Sequence, residues 1–551
     1  MQVGKQIQAP FKGDFKDFSP RLGVAWDIRG NGKTVLRAGG SLMYSYLPFL
    51  SYIQGLAVAY DPTGAGIVTL QTGPAGAAGS GTIVNAAVTA PGTALTPGWK
   101  AQTAACVSGG TAACGPIFPA SVFSHQCGDG LINTNGSKDP LPCSIATVSP
   151  NLHSARIGTW TVGLQRVVTN SLSLDLSYVG THGSDIVGIV DINQAPTGSG
   201  FMPIDILVGD PSASKTCCGP GSEQASRPFY KQFPYLSFIN QIGNIDRSNY
   251  HALQVTLTQR SWHGLSFLAG YTYSHALDDA STNEFDKLPL DSTNPTLQYA
   301  TSDFDVRHRF TLSTTYVLPG KKSPGQMLEG WAVNSVVTLQ GGGPWSPLDL
   351  SDDISGTNEV HNGSFGQWWN YSGPIADFTA GSNPVSCWSG FGGASLAGCD
   401  LTGATPPAPC LAAATAKGPN TVAALNSVGC YVFKGNSVLF PPALGTYGNA
   451  GRNIFLGPPY RNWDFSVTKN WKFTERYHAE LKVEFFNILN HPIFTNPGGI
   501  GTGAGFNDPS AGGGGAGQFG CGCITPDQAS PDPILGSGGS RSMQLGLRLF
   551  F

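Results

Sequence analysis

Apolar side chains recur at every second position in a series of short segments along this chain. In 172–178 (LSLDLSY), Leu172, Leu174, Leu176 and Tyr178 fall on one side and Ser173, Asp175 and Ser177 on the other. In 253–259 (LQVTLTQ), Leu253, Val255 and Leu257 alternate with Gln254, Thr256 and Thr258. The closing stretch repeats the pattern: Met543, Leu545, Leu547, Leu549 and Phe551 are apolar, with Ser542, Gln544, Gly546 and Arg548 between them. A period of two places successive side chains on opposite faces, so each segment predicts a strand with two different environments. Segments 265–273, 310–318, 331–339, 463–471 and 479–485 follow the same rule, and 20–28, 34–43 and 157–167 do so more weakly. Together they make eleven expected strands. No helical period of convincing length appears.

The connections between these strands alternate in length. Short ones lie at 29–33, 168–171, 260–264, 319–326 and 472–476; long ones run 44–156, 181–248, 278–305, 340–459 and 489–540. Structureless connections of that size are foreign to a compact soluble domain. They suit an all-β, transmembrane antiparallel barrel, with short periplasmic turns and long extracellular loops. Roughly 9 to 11 tilted residues cross the hydrocarbon layer, which matches the segments. Lipid then accounts for the apolar face. A watery lumen accounts for the other, where Glu480, Lys482 and Glu484 would be costly in a dry core. Trp26, Trp262, Trp331 and Trp471 sit beside the short turns and Tyr44, Tyr46, Tyr178 and Tyr273 at the opposite strand ends, as two interfacial belts would require. With the short turns periplasmic, the first and eleventh strands both run downward, and Phe551 reaches the periplasmic rim.

Composition narrows the alternatives. Only 12% of residues are charged, about half the usual share, and Gly reaches 74. A net charge of −3 gives no field for a nucleic-acid partner. No apolar run approaches the ~18 residues of a membrane-spanning helix. The first twenty residues contain no apolar core of a signal peptide, which leaves a cytosolic protein or part of a longer exported chain. All twelve cysteines fall in Gly/Pro/Ser/Thr-rich stretches. Their spacing suggests local disulfides, Cys106 with Cys114, Cys127 with Cys143, Cys387 with Cys399, and Cys410 with Cys430, formed in an oxidising compartment. Cys521 and Cys523 have no companion set at zinc spacing, so no metal is expected.

Catalytic patterns are weak. The glycines of 498–505 neither follow a strand nor open a helix, and no hydrolase elbow, zinc-protease or phosphate-loop motif occurs, so neither an enzyme nor a cofactor is expected. His275, Asp278 and Asp279, and Asp305 with Arg307, His308 and Arg309, are read as strand-rim salt bridges rather than a proton relay or cation site. Loop 340–459 carries Trp345, Trp368, Trp369, Tyr371 and Trp388, rings that could stack on sugars or other flat ligands, and is the expected recognition element.

Several segments carry a family resemblance: FSPRLGVAWDIRGNGKTVLRAGG (18–40), ARIGTWTVGLQRVVTNSLSLDLSYVGTHG (155–183), SNYHALQVTLTQRSWHGLSFLAGYTYSHALDDA (248–280), DFDVRHRFTLSTTYVLPG (303–320), GRNIFLGPPYRNWDFSVTKNWKFTERYHAELKVEFFNILNHPIF (451–494) and the closing LGSGGSRSMQLGLRLFF. As an ordered set they resemble the C-terminal half of the barrel of TonB-dependent transporters, specifically Oar-like proteins of acidobacterial type with an N-terminal carboxypeptidase-regulatory-like domain. Such barrels have about 22 strands and a plugged lumen. The resemblance therefore implies the second half of a barrel, read here as a fragment without signal peptide, plug or first strands, with 1–18 as the end of an extracellular loop and 19–551 as barrel. It implies outer-membrane lipid, the barrel-assembly machinery, the TonB complex (through the missing N-terminal part) and a nutrient ligand as partners. It also implies that Leu547, Leu549 and Phe551 form the barrel-assembly signal. Two function classes follow: energy-coupled import of a bulky nutrient such as an oligosaccharide or peptide, or a passive channel or surface adhesin on the same barrel.

Overall fold

A computed structural model describes residues 16–45, 142–200, 222–281, 288–349, most of 353–497, 519–520 and 539–551. Eleven long strands form its main sheet: β1 (Arg21–Asp27), β2 (Thr34–Ser45), β3 (Ala155–Val167), β4 (Leu172–Asp191), β5 (Leu236–Trp262), β6 (Leu265–Asp278), β7 (His308–Val317), β8 (Trp331–Gln340), β9 (Tyr460–Lys472), β10 (His478–Phe486) and β11 (Ser542–Phe550). Each pairs antiparallel with the next in chain order, and among the described residues β1 and β11 have one strand neighbour each. The eleven strands expected from alternation are the eleven of this meander.

Register explains why the pattern is so legible. One cross-strand row reads Trp26, Leu36, Leu164, Leu176, Val255, Tyr271, Phe310, Leu339 from β1 to β8. A second reads Leu265, Tyr316, Val333, Val467, Val483, Leu545 from β6 to β11. The opposite face carries Gln165, Asp175, Thr256, Gly270, Thr311, Thr338 and Asn462 in a single row. Because a one-residue slip would exchange these faces, the pattern locks the register. The apolar side chains remain uncovered: Val162 is 47% and Leu253 40% exposed. The turn joining β5 to β6 is equally tight, with His263 (φ 51°) and Gly264 (φ 84°) both left-handed, as a short hairpin requires.

Three features depart from the expected layout. The connections 44–156 and 181–248 are not structureless: β4 extends to Asp191, β5 starts at Leu236, and a short strand, Cys143–Val148, pairs parallel with β5. These extensions hold together because Ile189, Ile242, Leu152 and Leu288 bury one another away from the main wall. Second, two ten-residue helices occur in 340–459, α1 (Ala408–Lys417) and α2 (Pro419–Val428). Their buried faces consist of Cys410, Ala414, Thr421, Ala424 and Leu425, mostly small residues that give little amphipathic signal. Third, this connection is a folded cap. Strands Asn370–Ser372, Val438–Phe440, Gly429–Val432 and Ser386–Ser389 form its small sheet, in that order.

Candidate functional site

The polar face of the sheet carries several hydrogen-bonded side-chain clusters. Ser41 and Thr159 hydroxyls meet at 2.7 Å, Gln165 Nε2 donates to Asp175 at 2.7 Å, and Thr315 donates to Asn334 at 2.9 Å. Asn334 in turn donates to Ser466 (3.3 Å) and Thr468 (3.2 Å). Lys482 and Glu484 pair at 2.6 Å while both stay partly exposed, which suits a hydrated surface.

The apolar face ends in polar anchors at both rims. Beside the short turns, Lys469 is 1% exposed; its ammonium donates to the carbonyls of Gln326 (2.6 Å), Glu329 and Asn470 (3.1 Å), and lies 4.9 Å from the Trp471 ring. This lysine folds its charge back from the apolar face onto the turn, as snorkelling predicts. At the other rim, Tyr178 binds His251 (2.8 Å) and Tyr271 binds His308 (2.9 Å). The strand-rim charges pair there too: His275 with Asp305 (3.4 Å), Arg307 with Asp305 (3.5 Å), and Arg156 Nε with Asp185 (2.7 Å).

The cap stands at the loop end. Its first core gathers Trp345, Trp369, Phe378, Tyr431, Phe455 and Phe519; its second holds Trp388, Cys410, Leu425, Cys430, Val438 and Phe440. Disulfides Cys387–Cys399 and Cys410–Cys430 staple these cores. The aromatics expected to be an exposed ligand platform are placed otherwise. Trp345 is 3%, Trp368 8%, Trp369 0% and Trp388 1% exposed. Trp369 spends its indole N–H on Asp349 (2.9 Å), and Trp388 on the Gly403 carbonyl (3.0 Å). Tyr371 is half-buried, edge-on to Phe378 and Phe455. The platform expectation is therefore corrected: in a loop this large, the rings bury one another because the cap needs a core of its own. Leu547 and Leu549 lie on β11, both 63% exposed, and Phe551 follows it at 86%. Cys106, Cys114 and Cys127 lie outside the described residues, so the pairing expected for Cys143 does too.

Two buried charge clusters join cap and wall, and nothing in the hydrophobic pattern announces them. Arg227 reaches Asp191 (3.3 Å), Glu223 and the Asn193 carbonyl (2.9 Å), with its guanidinium 4.4 Å from the Phe238 ring. Glu359 of the cap packs against the same group. Burial, offset in part by Arg227, pushes Glu223 up to about 7. Burial first, and Asp191 second, hold Glu359 well above the usual carboxylate range. The second cluster centres on Arg452, 4% exposed, which donates to the Asp278 carbonyl and carboxylate (both 2.8 Å), to Ser281 and to the Gln298 carbonyl (3.3 Å). Its neighbour Asn453 donates to Thr301 (2.8 Å). Arg452 lies in the GRN stretch at 451–453, and its partner Asp278 is one of the carboxylates expected to form rim salt bridges.

The family described as outer membrane beta barrel domain matches residues 2–519. Among solved structures, the outer membrane transporter YddB from Escherichia coli aligns at 10% identity and TM-score 0.32, covering 87% of this chain and 37% of its own. A mutant ferric enterobactin receptor, PfeA from Pseudomonas aeruginosa in complex with enterobactin, aligns at 11% and 0.36, covering 97% and 40%. The ferripyoverdine receptor of the Pseudomonas aeruginosa outer membrane aligns at 9% and 0.31, covering 97% and 33%. The chain thus spans between 33% and 40% of the length of these structures. No curated protein matches the sequence.

Proposed function

Because the chain belongs to the outer membrane beta barrel domain family, and so resides in the outer membrane, we propose that it supplies wall and extracellular cap to an energy-coupled, TonB-dependent importer of a bulky nutrient such as an oligosaccharide or peptide. The observation that carries this reading is the pairing of a polar-lined sheet with a stapled, folded cap at one rim. An unselective pore has no need of a disulfide-locked domain at its mouth, whereas selective capture does. The cap offers recognition through its surface and not through its buried indoles. The cargo crosses chemically unchanged.

The test is uptake of labelled oligosaccharide and peptide pools by cells expressing the open reading frame that encodes this chain, with and without a protonophore. Uptake abolished both by the protonophore and by excision of 353–456 supports the proposal. Uptake that survives the protonophore identifies a passive channel. Cell adhesion without uptake identifies an adhesin.

A further inference from the structure

Where β5 and β6 leave the wall, a small cavity is walled by Ile189, Pro289 and Pro295, with Asp246, Asp279 and Gln298 as its polar lining. Three separate segments supply those polar groups: the extension of β5, the residue after β6, and the 3-10 turn Pro295–Gln298. Gln298 is 2% exposed, and neither its Oε1 nor its Nε2 meets a hydrogen-bonding partner among the described residues. An amide buried with both ends unsatisfied is costly, so its presence points to a ligand that the side chain contacts.

The local charge count gives the sign of that ligand. Asp246, Asp278, Asp279 and Asp303 share this neighbourhood with Arg247 and Arg452. Four carboxylates face two guanidiniums. Asp278 is spent on Arg452 at 2.8 Å, and Asp279 uses Oδ2 on the Arg247 backbone N–H at 2.8 Å and faces the Arg247 guanidinium with the same oxygen at 3.7 Å, leaving Oδ1 for another contact. Gly188 makes room for the remaining carboxylate: a Cβ there would collide with Asp246.

We propose that this cavity binds one divalent hard cation, Ca2+, through the carboxylates of Asp246 and Asp279 and the amide oxygen of Gln298. All the polar groups it offers a cation are oxygens, and no imidazole or thiol lines it, which suits a hard ion. Irregular sets of carboxylate, amide carbonyl and water oxygens suit Ca2+, whereas Mg2+ demands near-octahedral geometry and holds its waters. Four carboxylates against two guanidiniums leave a net of two negative charges in this neighbourhood, which the two positive charges of the ion match. Bound there, the ion ties β5, the end of β6 and segment 295–298 together, beneath the Arg452 clamp that holds the cap.

The test is calorimetric titration of CaCl2 into the folded full chain in detergent, after EDTA treatment and dialysis, with MgCl2 as competitor. One Ca2+ bound per chain, weakened about tenfold or more in Asp246→Asn, Gln298→Leu and Gly188→Ala but unchanged in the exposed turn variant Glu475→Gln, supports the site. Should a cavity variant misfold, the unmodified chain decides: Ca2+, but not equal Mg2+, must slow proteolysis of 278–305. Absence of Ca2+ binding, binding indifferent to Asp246→Asn and Gln298→Leu, or proteolysis insensitive to Ca2+ overturns the proposal.

Discussion

The wall and the cap of this molecule use the same residue types in opposite ways. In the wall, Leu253 and Val162 are 40% and 47% exposed, and their neighbours touch across the strands in rows. In the cap, Trp369, Phe378 and Tyr431 are 0% exposed and interlock ring against ring. The wall's apolar surface is stabilised by lipid, so its side chains need only face outward; the cap is surrounded by water and must enclose its own. Substitutions should therefore have opposite rules in the two regions.

The largest effect is expected in the cap. Trp369→Ala removes a fully buried indole together with its hydrogen bond to Asp349, at a cost of about 3–5 kcal/mol. Limited proteolysis should then cleave within 353–456 while the β-sheet circular dichroism signal persists; simultaneous loss of both would show that the regions are not separable. The wall responds to charge instead. Leu253→Arg, on the apolar face, should cost about 2–4 kcal/mol of stability in lipid. Thr256→Arg on the polar face should cost little, as urea titration in vesicles would show. Equal effects at the two positions would erase the distinction between the faces.

The wall was legible because alternation is local: Leu172 to Tyr178 display both environments within seven residues. The outward extensions of β4 and β5 carry no such signature, since Ile189 and Ile242 face protein rather than lipid and the clean alternation breaks there. The cap was illegible for a different reason. Its contacts join residues far apart, as when Asn370 pairs with Phe440, and its helices bury Ala and Cys where no large apolar stripe advertises them. Its tryptophans stand out in the sequence, but sequence alone does not say whether a loop is large enough to own a core that buries them. Arg227 and Asp191, 36 residues apart, carry no pattern at all.

Smaller effects sharpen the contrast. Reducing Cys410–Cys430, which closes a short loop, should cost the cap about 2–3 kcal/mol and leave the wall unchanged. Urea titration of the cap with and without reductant measures this. The same contrast can be probed with pH. The carboxyl of Glu223 is raised from its ordinary value to about 7 on folding, so between those values the folded state binds more protons than the unfolded one. The stability of the folded Arg227 cluster should consequently fall as pH rises from about 4.5 to 7 and level off above. Glu359 is shifted in the same direction. Glu223→Gln should flatten part of that slope; an unchanged slope would remove Glu223 from the account.

The most direct measurement of the central claim is the accessibility of spin-labelled residues placed at Leu174, Val255 and Leu312, and at Ser177, Thr256 and Ser313, in the protein reconstituted into lipid. The account predicts that the first three meet lipid-soluble oxygen and are shielded from a water-soluble nickel chelate, with the reverse for the second three. Labels at Leu174, Val255 and Leu312 that respond to the chelate and not to oxygen would contradict it.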